Sequence, residues 1–367
     1  MKILRRKLYG FQSTINNCRI NVTQTVTQNP PVTPQPPAGV SSGWSRLPAS
    51  YAIPEHPPGL ADARAYCARL ASTHYENFSV ATWFLPHRLR QHFSNVYAYC
   101  RISDDLGDEV GDAAASLQLL DQWQAELDAC YAGTPRHPVF VALADTVRRF
   151  DIPKHEFSDL LIAFRQDQTV TRFATFDDVL AYCRYSANPV GHLVLYVCGY
   201  RDAECQQLSD FTCTALQLAN FWQVVSVDYG KGRIYLPLED LRRFGVSEDD
   251  IAQKRNRASF CAMMRFEVER AQDWFRKGLP LIGKVDRELA IDLELFSRGG
   301  QEILRAIQKQ GYAVLGNRPA ISRSRKLALV ARAAMGKILA NFLSADSRGS
   351  TRTSQATTDS KQRGSSA

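Results

Sequence analysis

The sequence predicts an all-α protein, folded as one large helical bundle. Three observations carry this. From Leu60 onward apolar residues recur at three- and four-residue spacing in one segment after another. The two-residue alternation of a half-buried strand is almost absent. Helix-start chemistry punctuates the segments, as at His137-Pro138, Pro153 and Ser247-Glu248-Asp249-Asp250. The expected domain covers residues 56–343, about 290 residues, a length that can bury a sizeable core.

Residues 1–55 hold Thr, Asn, Gln, Ser and the run Asn29-Pro30-Pro31-Val32-Thr33-Pro34-Gln35-Pro36-Pro37. Such a composition buries too little apolar surface to offset ordering entropy, so a disordered N-terminal extension is expected. The first helix is read over Ala61 to Ser72. After an interruption at 74–79, a long apolar helix follows Leu85-Pro86 and ends in an acidic cluster at 104–109. Ala113 to Ala132 carries an apolar stripe of Leu117, Leu120, Trp123 and Leu127. Helices are then expected from Pro138 to Phe150, from Pro153 through Phe157, Leu160, Leu161 and Phe164, over Phe176 to Ser186, over Val190 to Gly199, and as one long helix from Ala203 to Asp228. Ala258 to Gly278, Arg287 to Phe296, Gln301 to Lys309 and Ser322 to Leu343 complete the set. The last of these is apolar enough for core packing or for a peripheral membrane contact, with Lys326, Arg332 and Lys337 suited to a lipid surface. The Ser/Thr/Arg-rich tail, 344–367, is expected to be disordered.

Composition excludes several classes. The net charge is +8, but six basic residues precede the first acid, Glu55, so the domain is less basic than the total. With no zinc-finger or RNA-recognition spacing, no nucleic-acid partner is expected. The nine cysteines form no CxxC pair and most sit in helical patterns, which suits a reducing compartment. No apolar run reaches the ~18–20 residues of a membrane span. The expected location is cytoplasmic, although the acid-free N-terminus also fits an organelle presequence.

The chemistry concentrates in two stretches. The first runs Tyr97-Ala98-Tyr99-Cys100-Arg101-Ile102-Ser103-Asp104-Asp105-Leu106-Gly107-Asp108-Glu109, with four carboxylates in six residues. On a helix Asp104 and Asp108 are i,i+4 neighbours, and Asp105 and Asp108 are i,i+3 neighbours. Carboxylates that close repel one another, and a divalent cation relieves the conflict. Oxygen-only donors suit magnesium, which bridges carboxylates to a substrate phosphate. A solvated acidic helix face has the same composition.

The second stretch, Gln217 to Pro237, weighs against the solvated face. Gln217, Asn220, Val224 and Asp228 fall on one face of a continuous helix, and three of the four offer oxygen among Leu, Phe and Trp neighbours. Lys231 and Arg233 follow on a glycine-flanked loop, a plausible diphosphate clamp.

Together these motifs, some 120 residues apart, resemble the squalene/phytoene synthase family over roughly residues 60–340. Phe78-Ser79, Leu85-Pro86, Tyr182-Cys183-Arg184, Gly191, Gly311-Tyr312 and Arg318-Pro319 agree with the resemblance. His74-Tyr75-Glu76-Asn77-Phe78, Ser186 to Gly191 and Asn220 to Gln223 are most similar to the bacterial hydroxysqualene synthases of hopanoid biosynthesis. The resemblance implies an isoprenoid-synthase bundle around a central cavity. It implies a magnesium-dependent enzyme that converts presqualene diphosphate and water to hydroxysqualene and diphosphate, between a sister presqualene diphosphate synthase and a hydroxysqualene reductase. Metal ligands would be Asp104, Asp105, Asp108, Asn220 and Asp228. Substrate contacts would come from Ser79, Tyr97, Arg101, Asn188, Gln217, Asn220, Lys231 and Arg233, with Tyr75, Glu76 and Asp167 as weaker candidates. No nicotinamide cofactor is expected, because no GxGxxG follows a strand. Head-to-head prenyl transfer to squalene or phytoene is the alternative within the fold.

One position breaks the pattern. The family carries aspartate where this chain has Val224. Valine cannot ligate a metal, so Asp228 alone is left of an Asp-x-x-x-Asp motif. An impaired or non-catalytic relative is therefore a further alternative.

Overall fold

The computed structural model describes residues 43–73, 87–322 and 324–325. Among them the chain is helical, with no strand. The principal helices are α1 (Leu60–Thr73), α2 (Arg90–Asp108), α3 (Ala113–Ala132), α4 (Pro138–Phe150), α5 (His155–Gln166), α6 (Phe176–Ser186), α7 (Asn188–Cys198), α8 (Ala203–Gln223), α9 (Val225–Tyr229), α10 (Leu238–Phe244), α11 (Glu248–Ala252), α12 (Ala258–Gly278) and α13 (Arg287–Lys309).

Local chemistry sets most of the boundaries. Asp112 caps α3 by accepting from the Ala115 N–H at 2.7 Å, and Gly133 ends that helix in the left-handed conformation at φ 86°. Pro138 opens α4, and Thr175 with Asp178 forms a capping box on α6. Ser247 and Asp250 do the same on α11. The expected stripe of α3 is buried at Leu120, Trp123 and Leu127, joined by Leu119, while Leu117 is only partly covered.

α2 is the axis of the first half. It is buried at all but a few positions because helices α1, α3, α4, α5 and α7 contact it. Tyr99 sits at its centre, edge-on to Phe140 and Phe157 and stacked on Trp123. Its hydroxyl donates to the Phe157 carbonyl at 2.8 Å, and Trp123 Nε1 donates to Ser103 Oγ at 2.9 Å. Each such aromatic contributes about 1.5–3 kcal/mol by burial, and its polar tip is satisfied.

The apolar interior of the described residues holds two large clusters and a small third one around Leu195, Cys205, Leu281 and Leu289. One large cluster gathers α1 to α5 and Leu193, Tyr196 and Val197 of α7. The other gathers α6, α8 and α10 to α13, including Phe221, Trp222, Phe260 and Phe275. The first acidic motif lies on a helix of the former cluster and the second motif on helices of the latter.

Four expectations change. Residues 43–55 are not part of a disordered extension. They form two short 3₁₀ turns whose Trp44, Leu47 and Tyr51 are buried, so the packed part of the chain begins by residue 43 rather than 56. The long helix over Ala203 to Asp228 breaks at Val224, which has φ −121° and ψ 23°. There the Val224 N–H turns to the Phe221 carbonyl, a three-residue step, and the β-branched pair Val224-Val225 weakens the helix at the same place. The pieces read as Arg287 to Phe296 and Gln301 to Lys309 are one helix, α13. Gly300 lets it lie against α8 and α12: a Cβ there would meet Phe275 Cζ at 2.4 Å and Leu216 Cδ2 at 2.8 Å. Finally, α7 begins at Asn188, with Pro189 in its first turn, two residues before the expected start. The expected Ser322 to Leu343 helix and the 344–367 tail fall almost wholly outside the described residues. No described helix is long and apolar enough to cross a membrane.

Candidate active site

The C-terminal half of α2 presents the first motif. Arg101, Asp104 and Asp105 are buried and Asp108 is half-buried. Burial of so many charges requires partners, and they come from different directions. Arg101 forks onto Asp105, with Nε donating to Oδ2 at 2.8 Å and Nη2 lying 2.6 Å from Oδ1. The Tyr51 hydroxyl donates to the same Oδ2 at 2.8 Å. Burial alone would lower the Arg101 pKa, but Asp105 and Tyr51 outweigh it and raise it. Its Nη1 is buried without a hydrogen-bond partner among the described residues.

Asp108 meets the second motif. Arg233 Nη1 lies 3.4 Å from Asp108 Oδ1, and Arg233 Nη2 donates to the Asp167 carbonyl oxygen at 2.8 Å. The Arg233 backbone N–H donates to the Asp228 carbonyl at 2.9 Å, as does that of Lys231. Gly232, at φ 79°, makes this tight return possible. One arginine thus ties the Asp108 carboxylate to the Asp228 turn, and the two motifs adjoin.

Asp167, just past the end of α5, is fully enclosed. Burial pushes its carboxyl up to about 6, with Arg233 opposing and Asp108 adding to the rise. The Tyr182 hydroxyl lies 2.9 Å and 3.1 Å from its two oxygens. Burial first and Asp167 second hold that phenol far above its ordinary value, so it remains a donor. Beside it Phe221 and Tyr235 stack at 3.9 Å, and Phe173 stacks on Tyr235 at 5.5 Å.

The other expected residues are placed as follows. Tyr97 and Asp228 are buried. Asn188 Oδ1 accepts from Thr214 Oγ1 at 3.1 Å, so this amide is committed to packing α7 on α8. Gln217 is buried with neither amide atom bonded among the described residues, and Asn220 Nδ2 is likewise unbonded. Lys231 is exposed. Ser79, Tyr75 and Glu76 lie outside the described residues.

The expected metal set of Asp104, Asp105, Asp108, Asn220 and Asp228 is not gathered as such: no group of three or more His, Cys, Asp or Glu side chains among the described residues forms a metal-binding cluster. Two causes are visible. Asp105 is held by Arg101 and Tyr51, and the buried Val224 supplies no oxygen. The remaining donors still suit a hard cation, since Asp104 and Asp108 offer carboxylate oxygens one helical turn apart, and the buried Gln217 amide, unbonded among the described residues, calls for a polar guest. Reading spacing alone missed Tyr51 and gave no role to Tyr182 and Tyr235. An aromatic in a low-acid, proline-rich stretch, and tyrosines inside apolar runs, carry no sign of their long-range partners.

An all-helical bundle with facing acidic and basic motifs, backed by stacked aromatics, is the architecture of an isoprenoid synthase. The family model for squalene/phytoene synthase matches residues 71–325, and the chain belongs to that family of prenyl transferases acting on prenyl diphosphates. It is 42% identical to the crystal structure of squalene synthase HpnC from Alicyclobacillus acidocaldarius, with a TM-score of 0.67 over 74% of this chain and 99% of that one. A dehydrosqualene synthase solved with a ligand is 28% identical, with a TM-score of 0.68 over 75% of this chain and 96% of that one. The phytoene synthase of Arthrospira platensis is 28% identical over 284 residues, 74% of this chain and 92% of the relative.

Proposed function

We propose that the protein converts presqualene diphosphate and water to hydroxysqualene and diphosphate. The observation that carries this reading is the 42% identity to a squalene synthase HpnC, against 28% to a phytoene synthase of similar coverage. Asp104 and Asp108, with Asp228 and Asn220 from the second motif, would hold magnesium. When bound, it would serve as a Lewis acid toward the diphosphate. Arg233, with Arg101 behind Asp105 and Lys231 at the rim, supplies positive charge to the departing group. The stacked Phe173, Phe221 and Tyr235 would give a neighbouring substrate an apolar, π-rich wall that excludes stray water and suits a carbocation. The C–O bond to diphosphate breaks, the cyclopropylcarbinyl cation rearranges, and a water oxygen adds with loss of its proton.

A sister synthase would deliver the substrate and a reductase would consume the alcohol. The protein would work in the cytoplasm, with a peripheral membrane contact easing transfer of such apolar molecules. Incubation with presqualene diphosphate and magnesium should yield hydroxysqualene and diphosphate in equal amounts. Phytoene from geranylgeranyl diphosphate, with presqualene diphosphate untouched, would replace this reading with head-to-head transfer. That second reading draws on the phytoene synthase likeness across the whole domain. Release of no diphosphate from any of these substrates would leave the impaired relative that Val224 suggests.

A further inference from the structure

Residues 43–53 precede the family match, which starts at residue 71, yet they reach the first motif. The segment is fastened along its length. Trp44 is buried and its Nε1 donates to Gln122 Oε1 at 2.8 Å. Arg46 Nη1 donates to the Val110 carbonyl at 3.1 Å, on the turn that follows α2. The Ser50 carbonyl accepts from the Tyr66 hydroxyl at 2.7 Å. Tyr51, 2% exposed, then places its hydroxyl on Asp105 Oδ2.

The contact has a consequence for Arg101. Asp105 takes three donors: Tyr51 and the Nε and Nη2 of Arg101. That leaves Nη1 as the one Arg101 nitrogen with no hydrogen-bond partner among the described residues, buried on the same helix as Asp104 and Asp108. A guanidinium held by a carboxylate on one edge presents a fixed donor to a phosphate oxygen on the other. Without the phenol, Asp105 Oδ2 would lose its second donor and could rotate toward any cation bound by its neighbours, taking the guanidinium with it.

We propose that Tyr51 is a positioning residue for diphosphate recognition: the 43–53 strap locks Asp105 onto Arg101, keeping Asp105 out of the metal set and aiming Arg101 Nη1 at a diphosphate oxygen. The proposal rests on the diphosphate reading of the site but not on which prenyl product forms. It explains why neighbouring acids differ in use, with Asp105 bound to Arg101 and Tyr51 while Asp108 meets Arg233.

The test uses the full chain and inorganic diphosphate with magnesium, with binding measured by calorimetry and melting temperature recorded alongside. Tyr51→Phe keeps the buried ring and removes only the hydroxyl. It should weaken diphosphate binding about 3–10-fold, since a bond to a charged group is lost one step from the ligand. In an Asp105→Asn background, where the arginine fork is already broken, the same change should cost clearly less, leaving only the direct interaction of the Tyr51 hydroxyl with Arg101. A merely structural tyrosine would lower the melting temperature equally in both backgrounds, with additive effects on binding. Unchanged binding in Tyr51→Phe, or additive losses, overturns the proposal. A wild-type protein that binds no diphosphate overturns the diphosphate reading and this proposal with it. Wild-type binding together with phytoene as the product overturns only the hydroxysqualene assignment.

Discussion

Restoring the missing aspartate is the most informative perturbation. Val224 is 2% exposed, and its carbonyl accepts the Asp228 N–H at 3.0 Å, so residues 224 and 228 remain one helical turn apart despite the break. In Val224→Asp two carboxylates would share that turn. Without a cation, burying the new charge beside Asp228 should destabilise the fold by about 2–4 kcal/mol, most of it desolvation and like-charge repulsion. At about 2–4 °C per kcal/mol for a chain of this size, the melting temperature should fall by roughly 5–15 °C. Magnesium should reverse the loss. A supporting partner of a metal is worth 10–100-fold in affinity, and a direct ligand should be worth at least about that. Titrating magnesium in the presence of inorganic diphosphate, with melting temperature as the signal, should move the midpoint at least about 10-fold lower in the variant, and turnover of presqualene diphosphate should rise. Equal magnesium midpoints and equal rates in the two proteins would refute the claim that Val224 weakens a two-walled cation site.

Other expectations are simpler to check. Arg233→Lys removes a donor that serves Asp108 and the Asp167 carbonyl together, which a lysine cannot fork; turnover should fall about 10–100-fold with the melting temperature nearly unchanged. Gly300→Ala drives a methyl into Phe275 and Leu216 and should destabilise by about 1–3 kcal/mol in urea unfolding. His192 joins three helices, with Nδ1 2.9 Å from Glu156 Oε2 and Nε2 2.8 Å from Asp210 Oδ1, while His155 also faces Glu156. Burial lowers its pKa, but Asp210 and Glu156 outweigh that and raise it to about 9. Its stabilisation is therefore complete below about pH 6.5 and lost as pH climbs through 9, a change of about 2–3 kcal/mol that His192→Gln should flatten in melting curves against pH. The Cys67, Cys100 and Cys130 thiols are buried and pushed up by that burial to about 12, so iodoacetamide at pH 8 should spare them until urea unfolds the chain.

The helices were legible because each buries one face and signals its ends locally. Ser247 with Asp250, Pro138 and the α3 stripe all depend on neighbours within four residues. Family membership was legible from two motifs whose spacing is specific. What escaped depends on contacts distant in the chain. The continuity of α13 through Gly299-Gly300 follows from how closely Phe275 and Leu216 approach, which no window of sequence contains. The break at Val224 replaces a smooth face with two helices, so the shared face read for Gln217, Asn220, Val224 and Asp228 does not extend unbroken to Asp228. Asp105 looked like its neighbours; Arg101 one turn earlier and Tyr51, 54 residues earlier, together tell it apart. The composition that marks 1–55 as unable to fold does not hold for residues 43–53, which the buried aromatics Trp44 and Tyr51 anchor.

The two large apolar clusters of the interior give a diphosphate ligand a mechanical part. Each half can breathe as its own cooperative unit, and amide exchange should report separate opening free energies for α1–α5 and for α8 with α12 and α13. Asp108 belongs to one unit and Arg233 to the other, so a diphosphate gripped by both is a rivet through the seam. Its arrival should slow exchange on both sides at once.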